Sequence, residues 1–300
     1  MCNTKIPVIL DTDIGFDIDD TWALGLLLKC PELDVKLITT VAQDTHIKAK
    51  LVAKFLECAN RTDIPIGIGP QSNSKKGLLH DWVKDYDLSN YPGIIYQNGV
   101  EALCSTIVES HIPIMLIAIG PLGNIAEALK LSSIITENSR FVGMQGSIFI
   151  GYKGNPIPMA EYNVFSNVIA CREVFQAPWE KTIAPLDTCG NIVISGENYK
   201  RIMKCNNPIV NVIKECFELW AEKTRLRRLI SKDQKTSILF DTVAVYLAFS
   251  EELVHIEDLK LEVTETGFTK ISEKGNNIRC ATSWKDLQAF KNLIVNRLTS

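Results

Sequence analysis

Through the first two thirds of the chain, short apolar runs alternate with segments whose apolar positions recur at helical spacing. "KIPVIL" (5–10), "DVKLITTV" (34–41), "IPIGIG" (64–69) and "IPIMLIAIG" (112–120) read as strands, and "RFVGMQGSIFI" (140–150) as a fifth, interrupted near Gly146. Between them "DDTWALGLLLKC" (19–30), "THIKAKLVAKFLECA" (45–59), "GVEALCSTIVESH" (99–111) and "LGNIAEALKL" (122–131) read as helices. The first carries acidic residues in its opening turn, where the helix dipole favours them, and Thr45 is the expected N-cap of the second. Strands apolar throughout and separated by helices of this length imply a mostly parallel sheet covered on both faces, an open Rossmann-like α/β fold. In such sheets ligands bind beyond the carboxyl ends of the strands. The last third is expected to hold helices near 207–228 and 236–250, short alternating segments at 259–266 and 268–272, and a closing helix near 283–298. No repeat or linker divides the chain, so one domain over 1–300 is expected. Residues 70–98 form a long polar connection of the kind that is usually functional or mobile.

Composition narrows the function classes. The 300 residues are 46% hydrophobic and 22% charged with a net charge of −3, enough apolar material for a large core and no basic field for nucleic acid or anionic lipid. No apolar run is long enough to span a membrane, and "MCNTKIPVIL" lacks the apolar segment of a signal peptide; a cytoplasmic protein is expected. The nine cysteines form no Cys-x-x-Cys pair and share no ligand spacing with the four histidines, which argues for reduced thiols and against zinc. Phosphate-binding Gly-rich loops, His-Glu-x-x-His and Gly-x-Ser-x-Gly are absent.

The unusual feature is "VILDTDIGFDIDD", in which Asp11, Asp13, Asp17, Asp19 and Asp20 follow an apolar run within ten residues. Two carboxylates about 4 Å apart repel by roughly 4 kcal/mol at an effective dielectric of about 20. A cation, a shared proton or solvent must offset that. Capping requires one or two aspartates, whereas convergent carboxylates suit a hard cation such as Ca²⁺.

"DTDIGFDIDDTWAL" resembles the N-terminal motif of the inosine-uridine-preferring nucleoside hydrolases. "AIGPLGNIAEAL" (118–129), "GNPIPMAEYN" (154–163) and "FDTVAVYLAF" (240–249) resemble three later motifs of that family, in the same order. The resemblance implies the nucleoside hydrolase fold and Ca²⁺-dependent hydrolysis of ribonucleosides to ribose and free base, in nucleoside salvage. It implies Asp13 as the catalytic base that also touches the metal, with Asp20, the Ile119 carbonyl and Asp241 as further metal ligands. Asp19, Asn155, Glu161, Asn163 and Asp241 match substrate-binding positions, Asp44 stands where an asparagine helps bind the nucleoside, and Asp11 supports Asp13. The implied partner is a small-molecule ribonucleoside, with no nucleic acid or membrane, and the implied assembly a homo-oligomer, dimer or tetramer. Read locally, Asn163 and Asp241 could instead cap helices, Asn155 could make a turn, Glu161 could be a solvated loop residue, and "GPLGN" could be only a strand-to-helix turn.

The chain also departs from the family. Two residues are inserted before the Asp19–Asp20 pair, leaving Asp17 extra, and Ile14 replaces a proline. Gly123 replaces a threonine, and Ser166–Asn167 stand where Asp-Pro is common. Phe240 stands where some members place a histidine that protonates the leaving base, and phenylalanine cannot donate. His80, Trp82, Tyr86, Tyr91 and Tyr96 in the long connection are the candidates to activate or stack the base. Two rivals remain: an aspartate-nucleophile phosphohydrolase using Asp11-Thr12-Asp13 with Mg²⁺, and a ribonucleoside-binding homologue that has lost turnover.

Overall fold

The computed structural model describes residues 5–226 and 234–300. One ten-stranded sheet runs through the molecule in the order β4-β3-β2-β1-β5-β6-β7-β10-β8-β9. Its strands are β1 (Ile6–Thr12), β2 (Leu33–Thr40), β3 (Ile66–Ile68), β4 (Ile95–Tyr96), β5 (Ile114–Ala118), β6 (Ser139–Gly143), β7 (Lys181–Ile183), β8 (Val254–Val263), β9 (Thr269–Ile271) and β10 (Asn276–Trp284). Strands β1 to β7 pair in parallel, β10 joins β7 in parallel, and β8 and β9 are added antiparallel at that edge. The expected sheet forms, with an antiparallel extension.

Helices cover both faces, as buried parallel strands require. On one face α1 (Asp19–Lys29) and α2 (Thr45–Cys58) pack with the segments Pro208–Lys223, Thr242–Leu247 and Leu287–Thr299, around Trp22, Phe55, Tyr246 and Phe290. On the other lie α3 (Gly99–Val108), α4 (Gly123–Leu131) and the helix Val168–Gln176, around Leu103, Ile125, Phe141 and Phe175. Among the described residues no helix is long and apolar enough to cross a membrane.

Several elements differ from expectation. Asp44, not Thr45, caps α2, its carboxylate accepting the Ile47 N–H at 3.0 Å. The fifth strand stops at Gly143, where the chain turns away through Gly146 at φ +84°. The C-terminal helix begins only at Leu287, because 276–284 form β10. The helix expected over 236–250 shrinks to Thr242–Leu247. The long connection 70–98 is broken by short 3₁₀ turns at His80–Val83 and Leu88–Asn90 and ends in the edge strand β4.

Chain order reverses at β1. Strands β2, β3 and β4 extend to one side and β5, β6 and β7 to the other, so a crevice opens between the carboxyl ends of β1 and β5. Ile119 and Gly120 follow β5 there, beside the acidic run that follows β1. A side chain at Gly120 would come within 3.0 Å of Asp13, so only glycine allows the two strand ends this close.

Candidate active site

At this crevice the chain encloses a pocket of about 270 Å³ whose lining includes Asp13, Asp17, Asp19, Asp20, Ile119 and Asp241. Strand β1 delivers Asp13, the first turn of α1 delivers Asp19 and Asp20, and Asp241 stands immediately before Thr242–Leu247. Residues more than 220 positions apart in the chain therefore meet. Carboxylate oxygens of Asp19, Asp20 and Asp241 lie within 4.8 Å of one another, and all three residues are buried.

Burial and mutual repulsion push the Asp19, Asp20 and Asp241 carboxyls well above the ordinary carboxylate range. Asp19 and Asp241 face each other, and the charge on Asp19 raises the affinity of Asp241 for a proton or a cation. Asp20 accepts the Thr12 hydroxyl at 2.5 Å on Oδ1, which leaves Oδ2 free. The all-oxygen, multiply anionic donor set fits a hard divalent cation, and the raised proton affinities mark the charge deficit such an ion would fill.

Behind this ring the sequence reading missed one charge. Lys48 on α2 is buried, and its ammonium donates to the backbone carbonyls of Asp13 and Ile14. Burial pulls its pKa below the usual lysine range, against the attraction of Asp13 and Asp20. The signal was present: Lys48 falls on the same helical stripe as Thr45, Ala49 and Val52, all buried. A lysine on a core-facing stripe beside an acidic run is a candidate counter-charge.

Asp11 sits one layer deeper, fully buried, with Oδ1 accepting from Thr39 Oγ1 at 2.6 Å and Asn124 Nδ2 at 2.7 Å while Oδ2 has no partner. Burial pushes its pKa up to about 7. Asn124, from the "GPLGN" turn, also donates to the Thr40 carbonyl and so ties β1, β2 and α4 together.

The remaining sequence candidates divide. Glu161 lines the pocket and is buried rather than solvated; it caps the short helix Tyr162–Ser166, accepting from the backbone N–H groups of Gly146, Asn163 and Val164. Burial pushes its pKa up to about 7 despite those three donors. Asn163 also lines the pocket; it caps no helix, and its amide donates to the carbonyls of Ile119 at 3.2 Å and Met144 at 3.0 Å. The cap of Val168–Gln176 is Asn167. Asn155 is exposed and outside the pocket lining, its side chain accepting from the Ile157 N–H in a local turn. Asp44 is also outside that lining, held as the cap of α2. Asp19, matched to the sugar, belongs to the tightest carboxylate group, whereas Asp13 stands beside that group on the same wall.

None of the aromatic or imidazole candidates from the long connection lines the pocket. His80 pairs with Asp81 at 3.0 Å, Trp82 donates to Glu215, and Tyr91 donates to the Ile64 carbonyl. The aromatic wall comes instead from Phe16, Tyr152, Tyr162 and Phe240, which no local motif groups. Tyr152 meets Phe240 edge to face at 5.9 Å and accepts the Tyr162 N–H through its hydroxyl oxygen. The connection contributes from outside: Lys75 covers the Phe16 ring at 4.4 Å, and Leu79 N–H donates to the Gly15 carbonyl. Opposite, the buried Asp187 carboxylate accepts the N–H groups of Ile148, Phe149 and Ile150, fixing the loop after β6.

Residues 8–292 match the family model described as inosine-uridine preferring nucleoside hydrolase. The chain is 31% identical over 228 residues, 72% of each chain, to a protein named pyrimidine-specific ribonucleoside hydrolase RihA from Escherichia coli O81 (strain ED1a). It is 31% identical over 232 residues, again 72% of each, to the protein of that name from Escherichia fergusonii. Among solved structures, a plant nucleoside hydrolase superposes with a TM-score of 0.80 at 20% identity, over 99% of this chain and 100% of that one. A purine-preferring ribonucleoside hydrolase from Gardnerella vaginalis does so with 0.79 at 18% identity, over 98% of each.

Proposed function

The chain belongs to the inosine-uridine preferring nucleoside hydrolase family, and from that premise we propose that it splits ribonucleosides into ribose and free base with a calcium ion held in the acidic pocket. The observation that carries the reading is the convergence of Asp19, Asp20 and Asp241, buried and short of positive charge, at the switch point of the sheet.

Asp20, Asp241, Asp13 and the Ile119 carbonyl are the residues that would hold the ion. Asn163 occupies one side of the Ile119 oxygen and leaves its second lone pair free. Bound there, calcium would lower the pKa of a water and orient the vicinal hydroxyls of the ribose. Asp13 accepts a proton from the attacking water. Asp19, Asn163 and Glu161 bind the sugar hydroxyls; the three N–H groups on Glu161 leave its carboxylate one acceptor site for a hydroxyl. As the C–N bond stretches, positive charge grows on the sugar, and the surrounding carboxylates stabilise it more than they stabilise the neutral nucleoside. The pocket thus favours a ribosyl cation-like transition state. A phosphohydrolase would confront that anionic wall with an anionic substrate, and its attacking aspartate, Asp11, is buried behind the pocket.

The test is ribose release from uridine, cytidine, inosine and adenosine by calcium-loaded protein, with and without a chelator. Turnover of at least one that chelation abolishes is expected. Folded, calcium-loaded protein that releases ribose from none would overturn the proposal, and tight nucleoside binding without release would favour the binding-protein rival.

A further inference from the structure

A base leaving as an anion needs a donor, and the pocket lining holds no histidine, lysine, arginine or cysteine. Its non-carboxylate polar side chains are Tyr152, Tyr162 and Asn163. Asn163 commits its amide hydrogens to two backbone carbonyls, while Tyr152 and Tyr162 each accept one N–H on the phenol oxygen and keep the hydroxyl hydrogen to give, so position decides between them. Tyr162 differs. It stands in the wall between the acidic pocket and a larger cleft of about 540 Å³, and it is 44% exposed to both and to solvent.

The Tyr162 hydroxyl oxygen accepts from Gln43 Nε2 at 2.9 Å. Gln43 is 7% exposed, and its Oε1 has no partner. It follows β2 in a turn where Ala42 (φ +62°) and Gln43 (φ +53°) are both left-handed, a strained conformation that persists where the surroundings enforce it. Here Ser72 enforces it, its Oγ accepting the Gln43 N–H at 2.7 Å and its N–H donating to the Gln43 carbonyl at 3.1 Å. Two strained residues and a clamp thus serve to press one amide against one phenol.

We propose that Tyr162, with its oxygen held by Gln43, donates the hydrogen bond that stabilises the departing nucleobase, a role resting on the hydrolase reading above. With the amide hydrogen on its oxygen, the phenol directs its own hydrogen elsewhere, and that inbound bond polarises the O–H. The C–N bond breaks with its electron pair remaining on the base, and the Tyr162 hydroxyl meets the charge that develops there; no proton need leave the phenol.

The experiment compares kcat/KM of wild type, Tyr162→Phe and Gln43→Glu on a cleaved ribonucleoside and on 4-nitrophenyl β-D-ribofuranoside, whose phenolate departs unaided. A hydrogen bond to developing charge predicts about ten- to hundredfold loss with the ribonucleoside for Tyr162→Phe and less than threefold with the nitrophenyl riboside. Gln43→Glu accepts the phenol hydrogen instead of donating, and should reproduce the pattern. Equal losses on both substrates, no loss with the ribonucleoside, or a wild-type Gln43→Glu would overturn the inference while leaving the hydrolase reading intact. Wild type that cleaves no ribonucleoside sinks the hydrolase reading and this inference with it.

Discussion

Replacing Asp11 with asparagine should stabilise the metal-free protein at alkaline pH and lose that advantage in acid. The wild-type carboxyl is fully buried, takes both of its hydrogen bonds on Oδ1 and leaves Oδ2 without a partner. The amide keeps the accepting oxygen and the shape. Raising a carboxyl from 3.8 to about 7 means the fold disfavours the ionised form by about 4 kcal/mol. Because the folded chain binds the proton more tightly than the unfolded one, wild-type stability falls as pH rises from about 4 to 7. Asparagine removes that penalty but buries an NH₂ without an acceptor, returning roughly 1–3 kcal/mol. Asp11→Asn should therefore be more stable than wild type by about 1–3 kcal/mol at pH 8. That difference should shrink by about 2.5 kcal/mol at pH 5, whatever the constant offset. Urea unfolding of chelator-treated protein at the two pH values gives both numbers. A difference that is independent of pH, or one that grows in acid, would refute the reasoning.

Two further perturbations probe the same architecture. Lys48→Met removes the buried ammonium from the carbonyls of Asp13 and Ile14 and from the side of the acidic ring; it should cost about 3–5 kcal/mol in chelator, as breaking a buried charge network does, and millimolar calcium should recover much of the loss in a thermal melt, whereas a loss blind to calcium would disconnect Lys48 from the ring. Asp187→Ala strips the acceptor from three backbone N–H groups of the loop after β6; the urea midpoint should fall by at least the equivalent of about 2 kcal/mol and KM should rise with the loosened Gly146–Glu161 contact, while an unchanged KM would separate that loop from substrate binding.

The parallel sheet was legible because buried strands and amphipathic helices leave periodic traces in β1, β2, β3, β5 and β6, though not in the two-residue β4, and the acidic run marked the site because so many adjacent carboxylates have few structural uses. The short β7 and the β8–β10 edge were not legible in full. Lys181–Ile183 is three residues long, and β8 alternates imperfectly because its outer face is solvated. Asp19, Asp20, Asp241, Glu161 and Asn163 are legible through the resemblance of their motifs, and all five line the pocket. Asn155 and Asp44 lie outside the pocket lining, where each accepts one backbone N–H, from Ile157 and from Ile47. Lys48, Gln43 and Asp187 act through contacts 35, 119 and 39 residues away in sequence. Helical spacing marks Lys48 as core-facing, but no local motif encodes the partners of Gln43 or Asp187. The long connection drew attention for its histidine and aromatics, yet His80 pairs with Asp81, Trp82 donates to Glu215 and Tyr91 to the Ile64 carbonyl, and none of them lines the acidic pocket.

The most direct test is a diffraction experiment on crystals grown with calcium and ribose, using anomalous scattering to locate the ion. The account predicts one calcium at about 2.3–2.6 Å from oxygens of Asp13, Asp20, Asp241 and Ile119, completed by two adjacent hydroxyls of the sugar. An ion bound away from Asp241, or the Lys48 ammonium swung in to fill the ring in its place, would contradict it.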